Sequence, residues 1–314
     1  MSTHRPWAGA AAALATTILI WGTVPLILRH IAREGVLDAW TVNGFRYLFT
    51  ALFWLPYLLA RRAELAQARG LWRDAARPAA CHLLGQIGWG LAPYYATASV
   101  MNFASRSSFL FAILLGFWLL PEERKLVRHP LFWLGTLATL IGLCGLFGGA
   151  PDGGSTSAIG FVILTVTALC WAAYGVQVRR HMQRHPARLG FAVVSLWVAP
   201  PLLALMFALG DWRAVAQLDA FHWLLLVFTG CIAIALGHVL FYMGLRTFGP
   251  VTTEGSLSVV PFLTAVLSGQ LLGERLSALQ WTGGLLLVAG TLALLAAKAR
   301  QLRTRPVTDD VAAG

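Results

Sequence analysis

The sequence predicts an all-α integral membrane protein: ten transmembrane helices as two inverted-topology five-helix repeats, with both termini cytoplasmic. Three observations carry that expectation. The 314 residues are 58% hydrophobic and only 12% charged, with a mean hydropathy of +0.68, far outside the soluble range. Apolar stretches of about 20 residues recur along the whole chain, each long enough to cross about 30 Å of hydrocarbon as a helix. Short signatures in the first half return in the second, shifted by about 150 residues. The apolar runs are continuous and rich in Leu and Ala, whereas the strands of a membrane barrel would alternate apolar and polar residues.

The first span covers residues 7–30. The opening MSTHRPWAGAAAALATTILIWG has the basic, apolar and small-residue features of a secretory signal, but a counterpart in the second half makes a retained helix the better reading. Thr17 and Trp21 lie one turn apart on it, with Pro25 beyond. The second span, 40–60, contains Asn43 and Arg46, the one basic residue well inside a span. Arg46 suits a structural role, reaching the interface or capping carbonyls, better than a substrate carboxylate. A polar connection follows over 61–78.

The third span, 79–99, holds QIGWGLAPYYA. Gln86, Trp89, Gly90, Pro93 and Tyr94 stand at i, i+3, i+4, i+7 and i+8, one helical face that His82 extends. Such a stripe belongs against protein or water, so it reads as a cavity wall, or alternatively as a packing seam. Pro93 deletes a backbone hydrogen bond and predicts a kink beside a cavity.

The remaining spans are 105–120, 131–149, 158–178, 190–209, 222–245, 252–271 and 279–297. The sixth aligns Thr167, Trp171 and Tyr174, and the eighth aligns His238 and Tyr242. In the ninth, Glu254, Ser258 and Pro261 share a face, with Glu254 near its cytoplasmic mouth as a gating or ion-pair residue. Trp7, Trp40, Trp72, Trp133, Trp212, Trp223 and Trp281 fall near span ends, where aromatic belts are expected. Trp21, Trp89 and Trp171 lie deeper and fit either a ring-binding pocket or a buried core. Donors and acceptors for an amino acid's two charged ends would come from Asn43, Asn102, Gln86, Ser256, Ser258 and backbone freed at prolines such as Pro25, Pro93 and Pro261.

Charge sets the orientation. With the N-terminus inside, 18 of the 24 Lys and Arg fall on the cytoplasmic face, and Arg29, Arg33, Arg106, Arg213 and Arg275 fall outside. The net charge of +11 is thereby explained by anionic lipid, and nucleic-acid binding is not expected. Cys81, Cys144, Cys170 and Cys231 lack paired spacing, so neither a disulfide framework nor a metal site is expected. No nucleophile or metal constellation of an enzyme is visible.

The repeat signatures are two. Trp21 and Arg29 recur as Trp171 and Arg179, an offset of 150, and W-x-G with a further Gly seven on recurs from Trp133, Gly135, Gly142 to Trp281, Gly283, Gly290, an offset of 148. An odd number of helices per unit inverts the second copy, an arrangement typical of secondary transporters with a site at mid-membrane. The units expected are 1–150 and 151–298, with a cytoplasmic tail over 299–314.

These residues resemble a known group. LLGERLSALQWTGGLLLVAGTLALL (271–295) is similar to the closing segment of EamA-type permeases, ten-helix members of the drug/metabolite transporter superfamily. PEERKLVRHPLFWLGTLATLIGLCG echoes it in the first half, with Pro121 where Gly-Glu would stand, and NGFRYLFTALFWLP resembles the second-helix pattern. Among such permeases the Trp/Tyr-rich candidates look most like the aromatic amino-acid exporters. The resemblance implies a bacterial inner-membrane exporter of aromatic and other neutral amino acids, working by alternating access as a monomer in the lipid bilayer, without a cofactor. Glu122, Glu123, Glu254 and Glu274 are all near span ends, so no deep acid is evident and a facilitative uniporter is expected. The alternative is a proton-coupled multidrug or metabolite antiporter using His238 and Glu254.

The substrate-binding set expected is therefore Trp21, Asn43, Gln86, Trp89, Tyr94, Asn102, Trp171, Tyr174, His238, Tyr242 and Ser256, with Pro25, Arg46, Pro93, Glu254 and Pro261 gating or structural.

Overall fold

The computed structural model describes residues 5–119, 126–148 and 157–303, all built from helices and turns with no strand among them. Pro121, Glu122, Glu123, Arg124, Lys125 and Arg305 lie outside the described residues. The helices are α1 (Arg5–Glu34), α2 (Ala39–Ala60), α3 (Arg62–Gln67), α4 (Leu71–Leu91), α5 (Ala98–Ser105), α6 (Ser107–Leu119), α7 (Pro130–Gly148), α8 (Ala158–His181), α9 (Ala187–Leu209), α10 (Ala220–Val227), α11 (Gly237–Leu257), α12 (Val260–Leu271) and α13 (Ala278–Arg303). A π-helix, Phe228–Leu236, joins α10 to α11.

Local chemistry starts these helices. The Asp38 carboxylate accepts the backbone N–H groups of Trp40 and Thr41, and Thr97, Ser157 and Asp219 cap α5, α8 and α10 in the same way. Arg179, Arg180 and His181 occupy the last turn of α8, where positive charge suits the helix dipole.

Seven helical segments among the described residues are long and apolar enough to cross a membrane, fewer than the ten expected. They are residues 7–34, 98–119, 130–148, 158–181, 187–209, 220–248 and 278–301. The shortfall has physical reasons. α4 starts at Leu71, so its first turns take up Arg73, Asp74 and Arg77, and the expected 61–78 connection shrinks to α3 and its flanks. α2 carries Asn43 and Arg46 in its buried face. The eighth and ninth spans merge in α11, and the chain then breaks at 258–259 to leave α12 only 12 residues. A Cβ on Gly244 would lie 3.5 Å from the Thr253 side chain, nine residues on, so α11 folds back between them. The last helix runs on to Arg303, past the expected start of the tail at residue 299.

Helices of the first half pack on those of the second: α1 against α11, α2 against α9, α4 against α8, α5 against α12 and α7 against α13. The last contact is backbone on backbone. A Cβ on Gly142 would sit 2.6 Å from the Gly283 carbonyl oxygen, and one on Gly290 would sit 2.7 Å from that of Gly135. Only glycine permits that approach, the small-residue packing expected between helices in lipid. The W-x-G…G signatures of the two halves thus face one another.

Two interior clusters fill the bundle, one around Val100, Phe103, Leu146, Leu164 and Leu287, the other around Tyr47, Ala79, Phe191 and Val198. Large apolar side chains also cover the outside, among them Trp118, Leu134, Leu137, Ile141, Ile159 and Val162. An apolar exterior of this extent is a surface for lipid. The chain is a multi-pass membrane protein.

The two ends of the bundle differ. At the end where α1 begins, Arg184 and His185 hold Asp74 at 2.5 and 2.8 Å, and their hydrogen bonds lower its carboxyl below the usual range. At the far end, Arg29 bridges Glu274 at 2.8 Å and donates to the Pro93 carbonyl at 2.5 Å, while Glu274 also accepts the Ala98 N–H at 3.0 Å. Asp38 ties α2 to the end of α9 through the Asp211 N–H, 2.9 Å away. Burial alone would raise the Asp38 carboxyl, but hydrogen bonds from Thr41, Asp211 and Trp40 outweigh it and hold it low.

Candidate functional site

Most of the aromatic and imidazole candidates converge between α1, α2, α4, α8, α9 and α11. Trp89 of α4 meets Trp171 of α8 with ring centroids 4.9 Å apart. One turn along α8, Tyr174 lies 4.7 Å from the His82 ring, whose Nε2 is 2.9 Å from the Tyr47 hydroxyl. His82 and His238 come within 6.3 Å of each other, and His238 stacks on Phe191 at 4.3 Å and leans on Trp21 at 5.3 Å. The Tyr242 ring lies 6.2 Å from the Phe191 ring, and Tyr242 shares the wall of one cavity with Tyr174.

The π-helix explains how this corner is held. Its i→i+5 pattern loosens the regular ladder. Three of its carbonyls accept side chains: Gly230 from Thr50 at 3.0 Å, Ala233 from the Trp21 indole at 3.2 Å, and Ile234 paired with His238 Nδ1 at 2.7 Å.

Above the cluster is a cavity of about 330 Å³, lined by Tyr174, Val178, Arg179, Gly190, Phe191, Val194, Tyr242 and Arg246 among others. It lies where α8 ends and α9 begins, at the end of the bundle that also holds Asp74, Arg184 and His185. Of the expected binding residues, Tyr174 and Tyr242 line it directly. Deeper along α4 and α8, several buried polar atoms have no hydrogen-bond partner: Gln86 Oε1, Trp171 Nε1 and His82 Nδ1. Buried polar atoms are normally satisfied, so these three are acceptor and donor capacity held in reserve.

The other candidates sit elsewhere or are committed to the protein. Asn43 donates to the Gln86 backbone carbonyl at 2.8 Å and accepts from Arg46 at 3.2 Å. Arg46 is only 2% exposed and stays inside rather than reaching the interface. Asn102 donates to Thr264 at 2.5 Å, and Thr264 donates to the Gly22 carbonyl at 2.8 Å, a chain linking α5, α12 and α1. Ser256 is bonded back to the Thr252 carbonyl of its own helix. The stripe in QIGWGLAPYYA is shorter than its spacing implies. α4 ends at Leu91, and Ala92–Tyr94 form a 3-10 turn, so Pro93 terminates the helix instead of kinking it, and Tyr94 donates to the Leu37 carbonyl at 2.7 Å. Pro25 lies inside α1 without ending it, and Pro261 is near the start of α12.

Arg106 is the largest displacement from expectation. It was expected on the outer face, yet it occupies the break between α5 and α6, in electrostatic contact with Glu254. Neither spacing nor composition marks that pair. Tyr47 and Phe191 also escape a sequence reading, since each is one aromatic among many in an apolar span; the Arg29–Glu274 bridge joins residues 245 positions apart.

An all-helical, multi-pass bundle whose halves pack helix against helix defines a class of membrane protein, and comparison narrows it. Residues 158–296 match the EamA-like transporter family. One crystal structure of a protein superposes with a TM-score of 0.62 at 19% identity, covering 95% of this chain and 99% of that one, a likeness of fold alone. Among curated proteins there is no significant match. The similarity thus covers the second half of the chain, and what residues 158–296 resemble there is a transporter domain.

Proposed function

We propose that the chain spans the inner membrane of a bacterium ten times as two inverted five-helix repeats, 1–150 and 151–298, with both termini cytoplasmic. In it a monomer exports aromatic and other neutral amino acids by alternating access as a facilitative uniporter. The packing of α2 on α9, α5 on α12 and α7 on α13, together with α1 on α11 and α4 on α8, contacts that the repeat would exchange for one another, supports the repeats. The observation that carries the substrate class is the polar reserve among rings: Gln86 Oε1, Trp171 Nε1 and His82 Nδ1 stand unpartnered beside Trp89, Tyr174 and Tyr47. Rings of a substrate would stack or meet these faces edge-on, and its polar ends would use the reserved atoms. The cavity at the α8–α9 end would be the cytoplasmic entrance, with the Arg29–Glu274 bridge closing the opposite end.

A second reading rests on one observation. The His82 and His238 rings lie 6.3 Å apart behind Tyr174 and Phe191 of the cavity wall, a pair that would carry protons in a coupled multidrug or metabolite antiporter. Uptake of radiolabelled tryptophan, phenylalanine and threonine, and of ethidium, into proteoliposomes with and without a pH gradient separates the two. Saturable amino-acid flux indifferent to the gradient supports the uniporter. Dye flux that requires the gradient replaces it with the antiporter.

A further inference from the structure

At the far end of the bundle, the last turn of α1 meets the first turn of α10 through three side chains. His30 Nε2 lies 3.3 Å from Glu34 Oε1, and His222 Nε2 lies 2.8 Å from Glu34 Oε2, so two imidazole nitrogens flank one carboxylate. The two rings are parallel within 6°, their centroids 6.0 Å apart, and all three ligand atoms fall within 4.8 Å of one another. His222 is held from its other side by Asp219, whose carboxylate is 2.7 Å from Nδ1 and also accepts the His222 backbone N–H at 2.9 Å.

We propose that His30, Glu34 and His222 form a zinc-class metal site that ties α1 to α10, with Asp219 as the positioning residue behind His222. The ligand set is two borderline imidazole nitrogens and one hard carboxylate oxygen; the carboxylate is accepted by many cations, but two imidazoles suit Zn²⁺ and not Mg²⁺ or Ca²⁺. His30 and Glu34, four apart on a helix, project from one face. Ligand atoms about 2.0–2.2 Å from a tetrahedral zinc stand roughly 3.3–3.6 Å from each other; His30 and His222 are already 3.3 and 2.8 Å from the Glu34 carboxylate, and their near-parallel rings would turn for both Nε2 lone pairs to converge on one ion.

The protonation pattern points the same way. Both nitrogens of His222 face carboxylate oxygens, an arrangement that a metal in place of the Nε2 proton satisfies as well as an imidazolium does. With Asp219 fixing the Nδ1–H tautomer, Nε2 is the ligand atom, the carboxylate–histidine–metal arrangement that orients zinc ligands. On binding, Zn²⁺ takes the Nε2 lone pair and the proton is released to solvent. A pocket of about 300 Å³, lined by His30, Arg33, Glu34, Leu271 and Leu272, leaves room for a water as fourth ligand. The Arg33 guanidinium there is engaged by the Leu272 carbonyl.

The test uses full-length protein freed of its purification tag and stripped of metal, titrated with Zn²⁺, Mg²⁺ or Ca²⁺ by calorimetry while thermal unfolding is followed by tryptophan fluorescence. One equivalent of Zn²⁺ should bind and raise the unfolding midpoint, with no response to Mg²⁺ or Ca²⁺. His222→Gln and His30→Gln should each weaken binding at least tenfold while leaving the metal-free midpoint at the parent value. Asp219→Asn should weaken it about 10–100-fold, the range for a lost outer partner. His185→Gln, in the cluster at the opposite end, should change nothing. No saturable Zn²⁺ binding by the parent, affinity within threefold of it in both His30→Gln and His222→Gln, or loss of binding in His185→Gln would each overturn the site.

Discussion

Gly142→Ala adds one methyl group to the seam between α7 and α13, where that carbon would stand 2.6 Å from the Gly283 carbonyl oxygen against an ordinary contact of 3.4–4 Å. Backbone cannot rotate away, so the helices must part by about 1 Å. A gap of that size forfeits a quarter to a half of each dispersion contact, and with each worth about 0.1–0.2 kcal/mol over a few tens of atom pairs the loss is on the order of 2 kcal/mol. Working against this, Ala in place of Gly in a helix gains up to about 1 kcal/mol. Gly175→Ala, in the interior of α8 with nothing within 4 Å of the new carbon, isolates that gain. In detergent, Gly142→Ala should therefore unfold on the order of 5 °C below Gly175→Ala, since about 1 kcal/mol corresponds to about 2–4 °C at this size. Gly142→Ala/Gly283→Ala should cost less than the sum of the single changes, because both displace the same two helices. Equal midpoints for Gly142→Ala and Gly175→Ala would refute the close approach.

Gln86→Leu removes a side-chain oxygen that no protein group uses, so stability should hold while amino-acid flux in proteoliposomes falls at least tenfold; unchanged flux would remove Gln86 from the site. Glu274→Ala leaves Arg29 without its carboxylate and Ala98 without its acceptor, and should cost roughly 2–3 kcal/mol in detergent unfolding, with Glu274→Gln recovering part of it. Asp38→Ala loses the cap of α2 and the tie to Asp211, about 1–2 kcal/mol. Because the Asp38 carboxyl is held below its unfolded value, its contribution is full above the ordinary aspartate pKa of about 3.9 and fades as pH falls through the lower folded value. The stability difference between parent and Asp38→Ala should thus shrink only in acid, and a gap that widened there would contradict the sign.

How much of this was legible in the sequence depends on the range of the interaction. Apolar length gave the helical membrane class, because crossing lipid is a one-dimensional requirement. The glycine signatures marked the repeat, and only the structure shows why glycine stands there: Gly142 and Gly283, and Gly135 and Gly290, meet backbone to backbone between α7 and α13. Trp89 and Trp171 were identifiable as deep aromatics, and they touch. Residue spacing failed where the backbone leaves the ideal helix: Pro93 and Tyr94 fall beyond the end of α4, and Arg106 sits at a break that periodicity cannot register. It also failed where the partner is far away in sequence, as for Arg29 with Glu274 and His30 with His222. Each of those residues, read alone, is an ordinary polar group at a span end.

The π-helix over Phe228–Leu236 fixes the phase of everything after it. Replacing its wide turns by regular ones would turn the following helix by roughly the angle of one residue, about 100°. His238 and Tyr242 would swing out of the space they share with His82, Phe191 and Tyr174, although no other helix had moved. A single-residue deletion between 228 and 236 is therefore a rotation rather than a shortening, and it would re-aim one wall of the cavity while sparing the chemistry of every side chain in it.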